Sequence, residues 1–181
     1  MSGERTLHVE GSHAEKIIGN YLVCNQIVQY MYLGRAEELG MSQLYSTRVH
    51  AHGGRSGAIK SEDGILDLPL ALPKELGGKG GATNPEQLFA AGYAACFENA
   101  VIHVTRGQAD KVTDDDIEVS CEVGLLPNGQ GGFNLAVSLD VEIAGVDQSK
   151  AEEIVKAAHA VCPYSNAIRG NIEVKFRIFT Q

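Results

Sequence analysis

The first strong pattern along the chain is an alternation of apolar and polar residues with a period of two. The alternation runs from Leu44 to His52 and predicts a half-buried strand. The glycine-rich stretch 53–57 then predicts a turn. Over 58–72 the leucines at even positions share one face, and we expect this segment to continue as a strand.

A long helix is predicted next, and capping residues mark its start. Asn84 is a favoured N-cap, Pro85 suits the first helical position, and Gln87 lies three residues after the cap. Helical periodicity continues to about Arg106, after which Gly107 is placed to end the helix.

Three further strands are predicted in the second half of the chain. The segments 117–123 and 135–143 alternate on either side of a turn-rich stretch, and a last strand is expected over 172–178. Cys121 shares the apolar face of the first of these strands, so we interpret it as a small core residue.

A second amphipathic helix is predicted before the last strand. Ser149 and Glu152 form a capping box at its start, and Pro163 disfavours helical backbone at Cys162, so the helix should end there. The order of strands, helix, strands, helix and strand, with hairpin-length turns, predicts the α+β class rather than a doubly wound parallel sheet.

Charge and cysteine spacing exclude several classes of protein. The formal net charge of -8 argues against nucleic acid or an anionic membrane as a partner. No apolar run reaches the roughly 18 residues of a membrane span. The four cysteines show neither a Cys-x-x-Cys pair nor zinc-type spacing with histidine, so we expect no metal site. His50 and His52 are interpreted as solvated surface because the pattern offers no third ligand.

Residues 1–41 differ in pattern from the rest of the chain. They lack clean period-two alternation, and we expect an N-terminal extension there, either from an upstream start site or as a leader. One domain is then expected over 42–181. The sparse cysteines and the lack of a secretory signal pattern favour a cytoplasmic protein whose thiols are reduced.

Cys96 and Cys162 are the candidate reactive residues, because each lies in an apolar helical pattern and Cys162 directly precedes a proline. This arrangement is typical of a reactive thiol and its resolving partner. Burial raises the pKa of a cysteine, so Cys96 needs a cation; Arg55 is the candidate, and Glu86 can fix it through a bidentate pair. The residues alone leave a second interpretation open, with an inert core cysteine, a solvated arginine and a glutamate that complements the helix dipole.

Several segments together carry a specific resemblance. They are the turn Gly53–Arg55, the loop Pro73–Gly78, the run GGATNPEQLFAAGYAACF at 80–97, VCPYSNA at 161–167, and RGNI at 169–172. Occurring in this order, they closely resemble the organic hydroperoxide resistance proteins, the Ohr branch of the Ohr/OsmC family. The resemblance extends to the whole of the expected domain.

The resemblance implies an OsmC-like fold, with antiparallel sheets around two central helices in an intertwined homodimer. It implies a cytoplasmic thiol peroxidase that binds no cofactor and reduces organic hydroperoxides, fatty-acid hydroperoxides among them, to alcohols. Cys96 matches the peroxidatic cysteine and Cys162 the resolving one, while Arg55 and Glu86 match the pair that activates and positions the thiolate. Dihydrolipoyl groups of a lipoylated protein would reduce the Cys96–Cys162 disulfide. Two alternatives stay open: an OsmC-type peroxidase of broader specificity and a non-catalytic redox sensor using the same disulfide.

The helix around Cys96 also departs from the family pattern and sets a geometric constraint. Glu98 and Asn99 stand where many relatives have apolar or small residues, and Asn99 shares the face of Cys96, where it could alter the pocket. Glu86 lies ten residues before Cys96, so on one continuous helix their Cα atoms are about 15 Å apart and about 80° out of phase. The two residues can share Arg55 only if the helix breaks between them, or if Glu86 and Arg55 reach the Cys96 of a second chain.

Overall fold

The computed structural model of the chain describes residues 42–106 and 112–180, and these fold into six strands and three α-helices. The α+β class is confirmed, because the strands and helices follow one another in blocks rather than as a repeated strand-helix unit. The expected extension over residues 1–41 lies outside the described residues.

The chain divides into two compact units, 1–47 and 48–181. The described residues of the first unit, 42–47, are exposed and lack regular secondary structure. The prediction of a half-buried strand from Leu44 is therefore wrong at its start, since the strand begins at Val49, and wrong in its burial, since all four of its residues are exposed. Alternation along a sequence identifies a strand, but it does not say whether a second layer covers the apolar face.

The first sheet is antiparallel throughout. Its strands, in spatial order, are β1 (Val49–His52), β2 (Ala58–Ser61) and β3 (Asp67–Pro69). The predicted single strand over 58–72 is wrong, because Gly64 takes a φ of 73° and the chain turns back there. Ser61 stabilises this turn, since its hydroxyl accepts a hydrogen bond of 3.0 Å from the backbone N–H of Leu66. Leu66 is half-buried and Leu70 is buried, in keeping with the alternation of the leucines.

The second sheet combines one antiparallel pair with one parallel pair. Its strands, in spatial order, are β4 (Ile117–Pro127), β5 (Phe133–Ile143) and β6 (Val174–Thr180). A short turn joins β4 and β5, whereas β6 lies parallel to β5 with Val174 opposite Val137. The expectation of purely antiparallel sheets is wrong for this pair. Two helices lie between β5 and β6, and such a crossover brings the chain back in the same direction.

The first helix, α1, spans Pro85–Thr105, and its predicted start is confirmed. The side chain of Asn84 accepts a hydrogen bond of 2.9 Å from the backbone N–H of Gln87, which satisfies one of the free donors of the first turn. The predicted stop residue, Gly107, lies outside the described residues.

Two helices follow the second strand pair, α2 (Gln148–Val161) and α3 (Pro163–Ile168). The predicted capping box at Ser149 is wrong, because the side chain of Asp147 caps α2 by accepting a hydrogen bond of 2.8 Å from the N–H of Lys150. The predicted end of α2 is confirmed, since Cys162 leaves the helical conformation. Pro163 then begins α3, a helix that the periodicity did not predict.

The core lies where α1 packs against α2 and against the second sheet, in which β4 and β5 are paired. Its most buried side chains come mainly from three elements: Tyr93, Phe97 and Val101 of α1, Leu139, Val141 and Ile143 of β5, and Ala151, Ile154 and Ala158 of α2. Burial of each large apolar side chain contributes roughly 1.5 to 3 kcal/mol. The centre of α1 is therefore held firmly, and it is this part of the helix that carries Cys96.

Candidate active site

The structure brings the two predicted redox cysteines together. The Sγ atoms of Cys96 and Cys162 are 3.5 Å apart, and neither residue is in a disulfide. Cys96 lies in the middle of α1 and is half-buried, whereas Cys162 lies at the junction of α2 and α3 and has no exposed surface. Pro163 ends α2 at this point, and this fixes the second thiol at a helix boundary facing α1. The pair can form a disulfide after a closure of about 1.5 Å.

The surroundings of Cys96 within one chain do not favour its thiolate. Burial raises the pKa of Cys96, a hydrogen bond from the backbone N–H of Tyr164 lowers it in part, and the adjacent Cys162 thiol raises it again. The net direction is upward, so the thiol form prevails at neutral pH. A nucleophilic Cys96 therefore needs an additional positive charge.

Arg55 and Glu86 form a bidentate ion pair within one chain. The Nη1 and Nη2 atoms of Arg55 donate to the carboxylate of Glu86 at 2.7 and 2.5 Å. The pairing lowers the pKa of Glu86 and raises that of Arg55. A tight turn presents the arginine, and Gly57 is required there because a Cβ would lie 1.7 Å from the carbonyl oxygen of His52. Glu86 engages two of the five guanidinium N–H bonds, so the cation keeps donors for a further anion.

A cavity of about 370 Å³ lies beside this ion pair. Its wall includes Glu86 and Gln87 from α1 and Cys121 and Val123 from β4. Burial raises the pKa of Cys121 to about 11, so this thiol stays protonated at neutral pH. Its partial burial on the apolar face of β4 agrees with the interpretation as a small core residue.

The two pairs occupy different parts of the same helix. Because α1 is continuous from Pro85 to Thr105, the alternative of a helix break between Glu86 and Cys96 is wrong. Helix geometry then separates their Cα atoms by about 15 Å. Within one chain, Cys96 thus contacts Cys162, and Arg55 contacts Glu86. An arginine held by Glu86 does not reach the Cys96 thiol of the same chain.

Sequence reasoning missed the residues that join α1 to α3. The hydroxyls of Tyr93 and Ser165 are hydrogen-bonded at 2.8 Å in the interior. The Tyr164 ring packs beside Tyr93, with centroids 5.7 Å apart and planes 24° from parallel. Their spacing from the cysteines could have pointed to them, since Tyr93 lies three positions before Cys96 and Ser165 lies three positions after Cys162.

Other predicted features lie away from the thiols. His50 and His52 are exposed, and the Nε2 atom of His50 lies 3.7 Å from a carboxylate oxygen of Glu62. Within the described ranges, no group of three or more metal-ligating side chains is found. No helix in that part of the chain is both long and apolar enough to cross a membrane. Asn99 is exposed on α1, and Glu98 is half-buried.

Comparison with known proteins gives matches over the same region. The model of the OsmC-like protein family matches residues 78–177, a range that holds Glu86, Cys96 and Cys162. The organic hydroperoxide resistance protein OhrB of Bacillus subtilis is 46% identical over 138 residues, which cover 75% of this chain and 98% of that protein. The organic hydroperoxide resistance protein of Xanthomonas axonopodis pv. citri is 47% identical over 133 residues, covering 72% of this chain and 92% of that protein.

A solved structure agrees with the fold as well as with the sequence. The organic hydroperoxide resistance protein OsmC from Legionella pneumophila matches with a TM-score of 0.73 and 53% identity, covering 76% of this chain and 99% of that chain. The expected OsmC-like fold is thereby confirmed. The chain belongs to the OsmC-like family, in its organic hydroperoxide resistance branch.

Proposed function

We propose that this protein is a cysteine-based peroxidase that reduces organic hydroperoxides to alcohols through a Cys96–Cys162 disulfide. The observation that carries the proposal is the 3.5 Å approach of two free thiols from separate elements. The relatives named for organic hydroperoxide resistance support the substrate class. The broad role is therefore the detoxification of organic peroxides, and the finer steps follow from the chemistry of the two thiols.

The cycle has two covalent steps before reduction. The Cys96 thiolate attacks the terminal peroxide oxygen, the O–O bond breaks, and the alkoxide leaves as an alcohol after taking up a proton. Cys96 is then a sulfenic acid. The Cys162 sulfur attacks the Cys96 sulfur, a disulfide forms, and the hydroxyl group leaves as water after taking up a proton. A dithiol must then exchange with the disulfide and become oxidised in turn.

Arg55 and Glu86 supply the charge that Cys96 lacks, provided that they act on the Cys96 of a second copy of the chain. Glu86 holds the guanidinium in place, and the remaining N–H donors of Arg55 stabilise the thiolate and the leaving oxygen. The continuous helix supports this assignment, because Glu86 and Cys96 lie too far apart on one α1.

Exposed apolar side chains support a homodimer. The 48–181 unit leaves several large apolar residues at least one-third exposed: Val49, Ile65, Leu76, Leu126, Phe133, Val161, Tyr164 and Phe179. In the three strands of the first sheet, the buried residues are Ile59 and Ser61, and Leu70 directly after β3 is buried as well. A three-stranded sheet needs an apolar face packed against another layer, and a second copy would provide it.

A lipoylated protein is the proposed reductant, and the cytoplasm is the proposed location. Cys96 is half-buried rather than fully exposed. A dihydrolipoyl group on a long, flexible arm would reach such a thiol without docking of a large protein surface. The reductant assignment otherwise follows from the family resemblance. No bound cofactor is required by this cycle.

The decisive experiment compares three cysteine variants of the full chain. With dihydrolipoamide and its regenerating enzyme, Cys96→Ser should abolish turnover of cumene hydroperoxide. Without reductant, Cys162→Ser should release about one equivalent of alcohol per chain and form no disulfide within the chain. Cys121→Ser is the matched control and should retain turnover, because its thiol stays protonated.

The same assay separates the competing functions. Comparable turnover of hydrogen peroxide would favour a broader OsmC-type peroxidase. A single oxidation of the wild type, without sustained turnover by any dithiol, would favour a redox sensor and contradict the proposal. Thioredoxin with its reductase serves as the comparison reductant, and equal rates with it would contradict the lipoyl assignment.

A further inference from the structure

We propose that Tyr93 and Ser165 are positioning residues, whose buried hydrogen bond sets the approach of Cys162 to Cys96 and thereby the rate of disulfide formation. The inference rests on the proposed peroxidase cycle. It assigns the second covalent step to a pair of hydroxyl groups that take no part in the reaction themselves.

The Tyr93–Ser165 hydrogen bond lies about one helical turn from the Cys96–Cys162 contact and joins the same two segments. Tyr93 precedes Cys96 by three residues on α1, and Ser165 follows Cys162 by three residues in α3. The pairs 93 with 165 and 96 with 162 are therefore successive contacts of two antiparallel segments. Both hydroxyl residues are fully buried, and their oxygens are 2.8 Å apart. A fixed distance between the Tyr93 and Ser165 hydroxyls therefore restricts the distance between the Cys96 and Cys162 sulfurs.

A close packing contact between Gly92 and the Tyr164 ring holds the same junction next to Tyr93. A Cβ placed on Gly92 would lie 2.5 Å from the hydroxyl oxygen and 3.0 Å from the Cζ of Tyr164, so the ring rests directly over the helix. The backbone N–H of Tyr164 also faces the sulfur of Cys96, where it lowers the pKa of this thiol in part. The beginning of α3 therefore contacts α1 at the ring, at the hydroxyl pair and at the thiol.

The Tyr93 hydroxyl is suited to this role because it stays neutral. Burial raises its pKa, the hydrogen bond to Ser165 lowers it in part, and the neighbouring cysteine thiols raise it again. A neutral phenol keeps its proton for hydrogen bonding through a cycle in which the thiols change charge. Apolar packing alone resists separation of the two elements, whereas a hydrogen bond between buried groups also resists sliding, because its strength depends on direction.

Loss of the hydrogen bond should slow resolution and leave peroxide attack intact. In Tyr93→Phe and Ser165→Ala the ring or the Cβ remains, but one hydroxyl is left without its buried partner. Small misplacements of reacting atoms cost large factors in rate, so we expect disulfide formation to slow by about 10-fold or more. The sulfenic acid then persists, and more Cys96 should be oxidised further to the sulfinic acid by excess peroxide.

The test measures the two steps separately on the full-length protein. Rapid mixing with cumene hydroperoxide gives the rate of sulfenic acid formation, and quenching with an alkylating agent followed by mass spectrometry gives the rate of disulfide formation. Thr105→Val is the matched control, since the Thr105 hydroxyl is buried on the same helix and donates to the carbonyl of Val101 at 3.0 Å. We expect both rates to be unchanged in this control.

A second measurement keeps the inference independent of peroxidase activity. Diamide oxidises the dithiol without a peroxide, and the rate of Cys96–Cys162 disulfide formation should fall in both hydroxyl variants. The double variant Tyr93→Phe/Ser165→Ala should be no slower than the slower single variant, because the two groups act as one pair. Unchanged disulfide rates in the variants, or an equal loss in Thr105→Val, would overturn the inference. A wild type that forms the disulfide with diamide but does not turn over peroxide would instead refute the proposed function.

Discussion

At the scale of single residues, the proposed chemistry requires a positive charge near Cys96, and no cation among the described residues of the same chain contributes to the pKa of this thiol. Burial raises the pKa of Cys96, and the Tyr164 backbone N–H offsets this only in part. Arg55 is the candidate cation, and its bidentate pairing with Glu86 fixes the orientation of the guanidinium. In the proposed dimer, the two residues are therefore expected to favour formation of the Cys96 thiolate.

Replacing Arg55 by Ala should raise the pKa of Cys96 further. Loss of one close cation changes a thiol pKa by about 1 to 3 pH units, so alkylation of Cys96 by iodoacetamide near neutral pH should slow by about 10-fold or more. Arg48→Ala is the control, because Arg48 is exposed and lies 3.4 Å from the Glu62 carboxylate on the surface. An unchanged pH profile of Cys96 alkylation in Arg55→Ala would exclude this arginine from the site.

The Arg55–Glu86 pair should be lost in acid. The pKa of Glu86 is lowered from the ordinary value of 4.5, so the folded state favours the carboxylate and gains stability from it above that pH. This gain disappears as the pH falls through the lowered pKa. The difference in unfolding free energy between wild type and Glu86→Gln should thus be constant above about pH 5 and shrink below about pH 4. A difference that grows as the pH falls would contradict the pairing, and urea titrations at several pH values measure it.

At the scale of elements, α1 carries two separate groups of the candidate site, one in its first turn and one at its centre. Its first turn carries Glu86, its centre carries Cys96, and the surface between them is shaped by small residues. Gly92 is the most restrictive of these, because the Tyr164 ring lies where its Cβ would be. Glycine has a low helix propensity, but at this interior position it leaves room for the Tyr164 ring.

Replacing Gly92 by Ala should destabilise the protein, although the same change stabilises most exposed helix interiors by about 1 kcal/mol. The added methyl group pushes the stacked Tyr164 ring, and overpacking of this kind costs about 1 to 3 kcal/mol. Gly124→Ala is the control, since its Cβ would meet the Ala136 methyl at an ordinary 3.9 Å. Urea unfolding measures both, and a Gly92→Ala variant as stable as wild type would contradict the close contact.

Elements with local determinants could be predicted from the sequence, and those with distant ones could not. The start of α1 and the end of α2 depend on neighbouring residues such as Asn84 and Pro163, and both predictions are confirmed. The parallel pairing of β5 with β6 depends on a crossover that no local pattern encodes. Spacing and motif also singled out Cys96 and Cys162, whereas the link between Tyr93 and Ser165 needs the packed helices to become visible.

At the scale of the whole molecule, the site is divided between two copies of the chain in the proposed dimer. Each copy holds a dithiol in the centre of α1 and an arginine-glutamate pair at its start. A two-fold axis that brings one α1 beside the other would join the pair of one copy to the thiol of the other. Two complete sites would then form or fail together with the dimer.

Complementation between two inactive variants tests this division. Cys96→Ser and Glu86→Ala should each be inactive or nearly so, but an equal mixture with exchanged subunits contains heterodimers with one intact site. Random pairing gives about a quarter of the wild-type activity, since half of the dimers are mixed and each has one of two sites. Heterodimers verified by mass spectrometry that show no recovered turnover would place the whole site within one chain.

The unequal exposure of the two sulfurs gives the proposed disulfide a direction. Cys162 has no exposed surface, whereas Cys96 is half-buried, so an incoming thiol can attack only the Cys96 sulfur and the Cys162 thiolate must leave. A monothiol bound to Cys96 would remain next to the released Cys162, which would expel it and restore the disulfide. A dithiol can use its own second sulfur before that return reaction occurs. In the proposed cycle, the burial of Cys162 would thus favour dithiols over glutathione-like monothiols as reductants.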